Sequence, residues 1–400
     1  MKVIMSLLGI ALIFGFIYLL SSDKKNIPYK TVAKALGIEF LIALLLLKFP
    51  LGRFVVAKVS DVVTSVLNCG QDGIAFVFGS LADSSAVTGN IFGIQTLGNI
   101  IFVSALVSAL YYLGIIGFIV RIIGKAVGKV LGTSHVESFV AVANMFLGQT
   151  ESPILVSKYL GKMTKSEIVV VLVSGMGSMS ATIIGGYTAL GIPMENLLIA
   201  SALVPMGSIA LAKVLMPESE ETFDSGDLKI DNKGDNENIL SAISEGAMNG
   251  LNTALAIGAS LIAILGIVAI INLVLGFFGL NLQEIFSYIF APVGYLMGLD
   301  SSEVTMAGQL LGSKLVLNEF VAFQSLGEVI SSLSYRTGLI LSVSLAGFAN
   351  ISSIGVCISG ISALCPEKRN ILSKLAFKSM LAGFTVSLLS AVIVGLVTLI

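Results

Sequence analysis

Residues 136–160 form the stretch that most limits what this chain can become. They are apolar enough to enter a bilayer, yet they hold Asn144, Gln149, Thr150, Glu151 and Pro153 near their middle. Lys125 and Lys129 precede them and Lys158, Lys162 and Lys165 follow, so both flanks read as cytoplasmic by the positive-inside rule. A segment that enters and leaves on one side is a re-entrant hairpin, and its broken backbone must be buried in protein or line a wet cavity. A carboxylate at that depth is expensive, which marks Glu151 as part of a substrate or ion site. A second stretch of the same kind, Asn318-Glu319-Phe320, recurs in the other half of the chain in a matching context.

The surroundings are those of an integral membrane protein. With 56% hydrophobic residues, 12% charged residues and 42 glycines, the composition excludes an ordinary soluble domain. The net charge of −1 and the scattered basic residues give no footprint for nucleic acid. Cys69, Cys357 and Cys365 lack metal-ligand spacing and read as packed thiols, and the single histidine, His135, reads as a loop or interfacial residue. The first apolar run, over 3–20, has one lysine ahead of it, no clear cleavage site and another span close behind. It is expected to be a retained helix rather than a signal peptide. Lys24, Lys25, Lys30 and Lys34 put the next loop in the cytoplasm and the N-terminus outside. Residues 50–97 mix charges with glycines, which suits a surface-lying amphipathic helix followed by an irregular segment. A third helix is expected over 97–123 and a short amphipathic stretch over 127–135.

Beyond the hairpin, a span over 167–190 is interrupted by Ser174-Gly175-Met176-Gly177-Ser178-Met179-Ser180, and a helix over 196–216 follows. The acidic residues 217–240 read as a flexible cytoplasmic loop, and a long helix over 240–277 carries Asn249, Asn252 and Thr253. The pattern then repeats. There is an interfacial stretch over 282–289, a hairpin over 292–326 holding Lys314, Asn318 and Glu319, a span over 338–359 interrupted near 348–353, and a last helix over 371–400. One crossing between the two copies makes them inverted repeats, and most of the 23 lysines and arginines then fall in inside loops. The expected units are 1–125, mainly scaffold; 126–216, the first transport repeat; 217–240, the acidic loop; 241–280, a long scaffold helix; and 281–400, the second repeat. The fold class is an all-α membrane protein with eight transmembrane helices, two re-entrant hairpins and interfacial helices, both termini lying outside.

Three blocks are specific enough to carry a family resemblance: Gly148-Gln149-Thr150-Glu151-Ser152-Pro153, Asn318-Glu319-Phe320-Val321-Ala322-Phe323 and Gly347-Phe348-Ala349-Asn350-Ile351-Ser352-Ser353-Ile354. They resemble the signature blocks of the concentrative nucleoside transporters, over almost the whole chain and in the short bacterial form. The resemblance implies a symporter of the bacterial inner membrane, with no enzymatic activity and no cofactor beyond a co-transported Na+. It implies a uridine-like substrate, with purine nucleosides as further candidates, and a homotrimer whose transport domain moves like an elevator against a trimeric scaffold. Gln149, Thr150 and Glu151 would contact the nucleobase, with Ile183 packing on it. Glu319 would accept hydrogen bonds from ribose hydroxyls, joined by Asn350 and Ser353, and Phe348 would line the pocket. The Na+ shell would fall on Asn144, Leu147, Ser178 and Met179, and Thr253 would approach the base. Half-helix ends present unpaired carbonyls and partial negative charge, which suits a hard cation. Thr150 favours sodium coupling, since a serine there resembles proton-coupled members.

Plainer readings stand beside these. Glu151 and Glu319 could be structural partners of Lys158 or Lys314, Asn350 and Ser353 could be helix-to-helix hydrogen bonds, and Ser178 could mark close packing. A membrane-embedded hydrolase would need an activated nucleophile or paired acids, and His135 is far in sequence from either tip. A channel or sensor would never accumulate solute above equilibrium.

Overall fold

The computed structural model describes residues 2–83, 86, 91–220, 222 and 236–400, and its regular structure is helical, with no strand among those residues. The chain opens with α1 (Lys2–Leu20), α2 (Tyr29–Lys48), α3 (Pro50–Phe78), α4 (Phe92–Tyr112) and α5 (Ile115–Leu131). The expected third helix is two helices, because Gly114 takes a φ of 76° between them. Only a residue without Cβ adopts that conformation cheaply, so the chain turns there although the apolar run continues. The buried residues of α5 recur on one face (Gly117, Val120, Gly124, Gly128, Leu131), while Arg121 and Lys125 are exposed on the other. This amphipathic helix is longer than the stretch over 127–135 anticipated for it.

The first repeat comprises α6 (His135–Ala143), α7 (Ser152–Leu155), α8 (Ser157–Leu160), α9 (Lys165–Gly177), α10 (Ala181–Ala189) and α11 (Met194–Leu215). Capping boxes start two of these helices, Ser134 with Glu137 for α6 and Thr164 with Glu167 for α9. Most of the acidic loop lies outside the described residues. The long helix is α12 (Ile239–Gly276). The second repeat comprises α13 (Leu282–Leu296), α14 (Val304–Val316), α15 (Glu319–Val329), α16 (Tyr335–Leu345), α17 (Ile351–Leu364) and α18 (Arg369–Val397). Its hairpin begins at Val304 rather than near Pro292, because Pro292 is accommodated inside α13.

Interhelical contacts define the two faces of the helical layer. At one face Ser22 N–H donates to Leu215 O at 2.9 Å, Lys34 Nζ to Val130 O at 2.9 Å and Lys368 Nζ to Met163 O at 2.7 Å. Both ends of the first hairpin lie there. At the other face Arg336 donates to Gly298 O at 2.8 Å and Gly395 O at 3.1 Å, and Thr337 Oγ1 to Glu303 Oε1 at 2.8 Å. Both ends of the second hairpin lie at this face, with Lys2 and Thr398. Lys2 pairs with Asp300 here at 2.8 Å, and this hydrogen bond and charge hold the exposed Asp300 carboxyl below the usual carboxylate range. The two repeats are therefore inverted with respect to the layer.

Seven helical stretches among the described residues are long and apolar enough to cross a membrane. They include α3, which the sequence reading laid on the surface. They omit α2, which carries Lys30, Lys34, Glu39 and Lys48, and the tandem α16 and α17, which are short because the span is broken. The packing also divides residues 1–125. Helices α1 and α2 lie against α11 and α18, whereas α4 runs along α12. The α4 and α12 backbones approach so closely that a Cβ at Gly250 would sit 2.7 Å from Ile101 Cα, and one at Gly246 2.8 Å from Ser104 O. Small residues permit that approach, the usual basis of tight helix pairing where apolar burial gives no driving force. The N-terminal region is thus shared between two packing groups, because α1 and α2 return their apolar faces to the repeats.

Candidate functional site

Both broken helices unwind at mid-length and cross at the break. Helix α9 ends at Gly177 and α10 resumes at Ala181; α16 ends at Leu345 and α17 resumes at Ile351. Phe348 N–H donates to Ser178 O at 2.9 Å, so the two unwound segments satisfy one another. Gly347 has a φ of 125°, and a Cβ there would lie 2.6 Å from Gly177 O. The hairpin tips meet this crossing. Ala181 N–H donates to Phe146 O at 2.9 Å, and a methyl group at Gly148 would touch both Ser180 Cβ, at 3.3 Å, and the Phe348 ring, at 3.6 Å.

Each tip carboxylate faces the N-cap of the second half-helix in its own repeat. Glu151 Oε2 accepts from Gly148 N–H at 3.1 Å and makes a long 3.5 Å contact with the hydroxyl of Ser180, the N-cap of α10. Glu319, the first residue of α15, accepts at Oε2 from Nδ2 of Asn350 at 3.0 Å, and Asn350 is the N-cap of α17. Its Oε1 accepts from Tyr187 Oη at 3.2 Å. Helix N-termini present unpaired amides and partial positive charge, so both carboxylates sit where anions are favoured. Asn350 Oδ1 accepts from Ser353 N–H at 3.0 Å, and the Ser353 hydroxyl donates to Phe348 O. Glu319, Asn350, Ser353 and Phe348 thus form one connected, buried group.

The first tip is held separately. Gln149 Oε1 accepts from the Cys357 thiol at 3.2 Å, and Thr150, itself exposed, packs its methyl against Gly360 of α17. Ile183 is buried on α10, three residues beyond Ser180. A cavity of about 290 Å³ reaches Glu151, Leu147 and Thr182 from between α4 and α12, where Ser104, Tyr111, Glu245 and Asn249 line it. Thr253 is not in that lining; its hydroxyl bonds back to Asn249 O at 2.8 Å and its surface faces outward.

The four candidate cation ligands lie beside the first break, where Asn144 reaches Ser174 and Phe146 O meets Ala181 N–H. Asn144 is the C-cap of α6, wholly buried, and its Nδ2 donates to Ser174 Oγ at 2.9 Å. Its Oδ1 is buried without a hydrogen-bond partner. Leu147 and Met179 are buried, and the Ser178 hydroxyl donates to Gly175 O at 3.0 Å. Helix α9 has no basic residue in its last turn to meet its final carbonyls. An orphaned amide oxygen beside such a terminus fits a hard cation.

Four residues escaped the sequence reading. Ser174 and Ser180 lie within the interrupted run, where the N-cap preference for serine could have singled out Ser180. Tyr187 has no local signal, because its partner Glu319 belongs to the other repeat. Cys357 was expected to be a packed thiol and is a donor to Gln149, while Cys69 is exposed rather than packed.

This geometry has close relatives. Family models for the Na+ dependent nucleoside transporter N-terminus, for nucleoside recognition and for the Na+ dependent nucleoside transporter C-terminus match residues 8–81, 93–194 and 196–395. The chain belongs to the concentrative nucleoside transporter family. Among relatives of this transporter, nucleoside permease NupC of Helicobacter pylori is 36% identical over 98% of the chain and 97% of its own length. Sodium/nucleoside cotransporter 1 of Rattus norvegicus is 32% identical over 98% of the chain, which spans 63% of that longer protein. The structure of CNTnw in an inward-facing substrate-bound state superposes with a TM-score of 0.95 at 37% identity, covering 100% of this transporter and 99% of CNTnw. A doubly substituted CNTnw in an outward-facing state also scores 0.95, at 36% identity over 100% of this transporter and 99% of that chain. The family is one of transporters, not enzymes, which removes the hydrolase reading.

Proposed function

We propose that this transporter imports nucleosides across the cytoplasmic membrane by sodium symport, through an elevator-type alternation of access. The reading rests on one observation: each hairpin tip sets a carboxylate against the N-cap of its own broken helix, where the two breaks cross. Glu319 already accepts from Tyr187 and Asn350, and a carboxylate has acceptor capacity left for a vicinal diol. Ribose hydroxyls are bound there, with Asn350 and Ser353 beside them and Phe348 along the wall. Gln149, Thr150 and Glu151 face the base, which Ile183 supports. Na+ takes the place beside Asn144 Oδ1, with Leu147, Ser178 and Met179 completing its oxygen shell.

An uncharged nucleoside gains nothing from the membrane potential, whereas a co-bound cation gains about 2.3 kcal/mol per 100 mV. Coupling therefore requires that the ion and the tip order together. Asn144 and Ser178 lie one hydrogen bond from the tip, since Phe146 O and Ala181 N–H join the two segments. Helices α4 and α12 form the stationary scaffold, through which three copies associate, and α1 and α2 travel with the repeats. That division differs from one that takes residues 1–125 mainly as scaffold.

Radiolabelled uridine uptake into proteoliposomes under an inward Na+ gradient tests the reading, with K+, Li+ and pH gradients as controls. Transient accumulation above equilibrium that requires Na+ is expected. Accumulation driven by protons alone would keep nucleoside import and remove the Na+ assignment. Uptake that never exceeds equilibrium would replace symport with facilitated passage.

A further inference from the structure

The two repeats treat equivalent helix ends differently. Helices α9 and α16 both stop at mid-length, and neither has a basic residue in its own last turn. In each repeat the end of the first hairpin arm reaches the broken helix beside that stop. In the first repeat the reaching side chain is Asn144, a neutral amide that bonds Ser174 of α9 and leaves Oδ1 unpartnered. In the second repeat it is Lys314 of α14. Its Nζ donates to Ser344 O at 2.9 Å, to Ala346 O at 3.4 Å and to Ser387 Oγ at 2.6 Å, and lies 5.3 Å from the centre of the Phe384 ring.

Lys314 is wholly buried, and its hydrogen bonds go to three neutral oxygens, with no carboxylate within ion-pair distance among the described residues. Three acceptors match the three N–H donors of an ammonium and exceed the two of an amine. Two of the three are carbonyls at the C-terminal end of α16, the negative end of a half-helix dipole. A ring face adds a further partner of the kind cations prefer. This is the coordination of a hard cation, supplied by a side chain.

We infer that the Lys314 ammonium is a resident cation, filling in the second repeat the position that the first repeat leaves open for the transported ion. The inference rests on the symport reading and deepens it. One half-helix end carries a tethered charge that stays with the protein, and the other carries an exchangeable charge that crosses with the substrate. The asymmetry between Asn144 and Lys314 is then what prevents the second break from binding an ion of its own.

Lys314→Asn places in the second repeat the residue that the first repeat already has. With uridine uptake measured against external Na+, the Hill coefficient of K314N is expected to exceed the wild-type value by about one, with half-saturation at higher Na+. Lys314→Met keeps the volume but offers no charge and no ligand oxygen; its uptake is expected to fall at least roughly tenfold and not to recover with added Na+. Both variants are first checked for wild-type elution as a single species in detergent. Unchanged Na+ dependence in K314N, or wild-type uptake in K314M, overturns the inference while the symport reading stands. If K314N fails to assemble, K314M decides. A wild-type protein without Na+-driven uptake removes both readings together.

Discussion

At the scale of single residues, Glu319 carries the sharpest expectation. Its two oxygens already face two donors, Tyr187 and Asn350. Glu319→Gln replaces one acceptor oxygen with a donor nitrogen, so one existing partner meets a donor, and the charge that would strengthen contacts to the proposed ribose is lost. Charge-assisted bonds are roughly twice as strong as neutral ones, and an unmade buried bond costs about 1–3 kcal/mol. Initial uridine uptake is expected to fall by about ten- to a hundredfold. The wild-type protein is expected to prefer uridine over a deoxyribose analogue and the same variant to lose that preference; a preference that survives would move the ribose elsewhere. Asn144→Ala removes the orphaned oxygen and is expected to raise the Na+ concentration for half-maximal uptake about tenfold, near 1.4 kcal/mol, before nucleoside affinity changes. An unaltered Na+ titration would empty that site. These residues were legible because a polar side chain inside an apolar hairpin has few structural reasons to be there. Tyr187 was illegible for the opposite reason: one tyrosine in an apolar helix carries no signal until the second repeat supplies its partner.

At the scale of elements, the crossing of the two breaks holds the tips in register. Gly347 is where this is most exposed to mutation, since φ of 125° is open in practice to glycine and a Cβ there would collide with Gly177 O. Gly347→Ala is expected to cost about 1–3 kcal/mol in backbone strain alone, seen as a lower thermal midpoint in detergent. Gly148→Ala, whose Cβ would crowd Ser180 Cβ at 3.3 Å but needs no positive φ, should be milder. Equal midpoints for the two would mean that the crossing is not the constraint. Polar interruptions located both breaks in the sequence to within a few residues. The start of α5 was lost because apolar density runs unbroken across Gly114, and only its backbone angle ends α4. The small residues Gly246, Gly250, Ala254 and Gly258 recur every four positions along α12, a sign of its pairing with α4 that the sequence reading did not use.

At the scale of the whole molecule, the issue is which helices move together. Helix α1 is apolar along nearly its whole length and α2 mixes an apolar run with Lys30, Lys34, Glu39 and Lys48, so sequence pattern did not say which helices they accompany; both pack on α11 and α18. The elevator reading makes the cavity beside Glu151 a sliding boundary, with Ile154 of α7 on the moving side and Asn249 of α12 on the fixed side. Replacing both with cysteine allows a short bifunctional thiol reagent to tie the sides together. The background should carry Cys69→Ser, because Cys69 is exposed while Cys357 and Cys365 are buried. A tether that fixes one state leaves binding to that state possible and forbids the transition. Uptake is therefore expected to stop on cross-linking and return on reduction of a cleavable reagent, with nucleoside binding retained throughout. Uptake that persists after complete cross-linking would mean that the hairpins gate locally while the repeats stay still. Helix α12 would then be an ordinary wall of the pathway rather than the rail along which the rest of the protein moves.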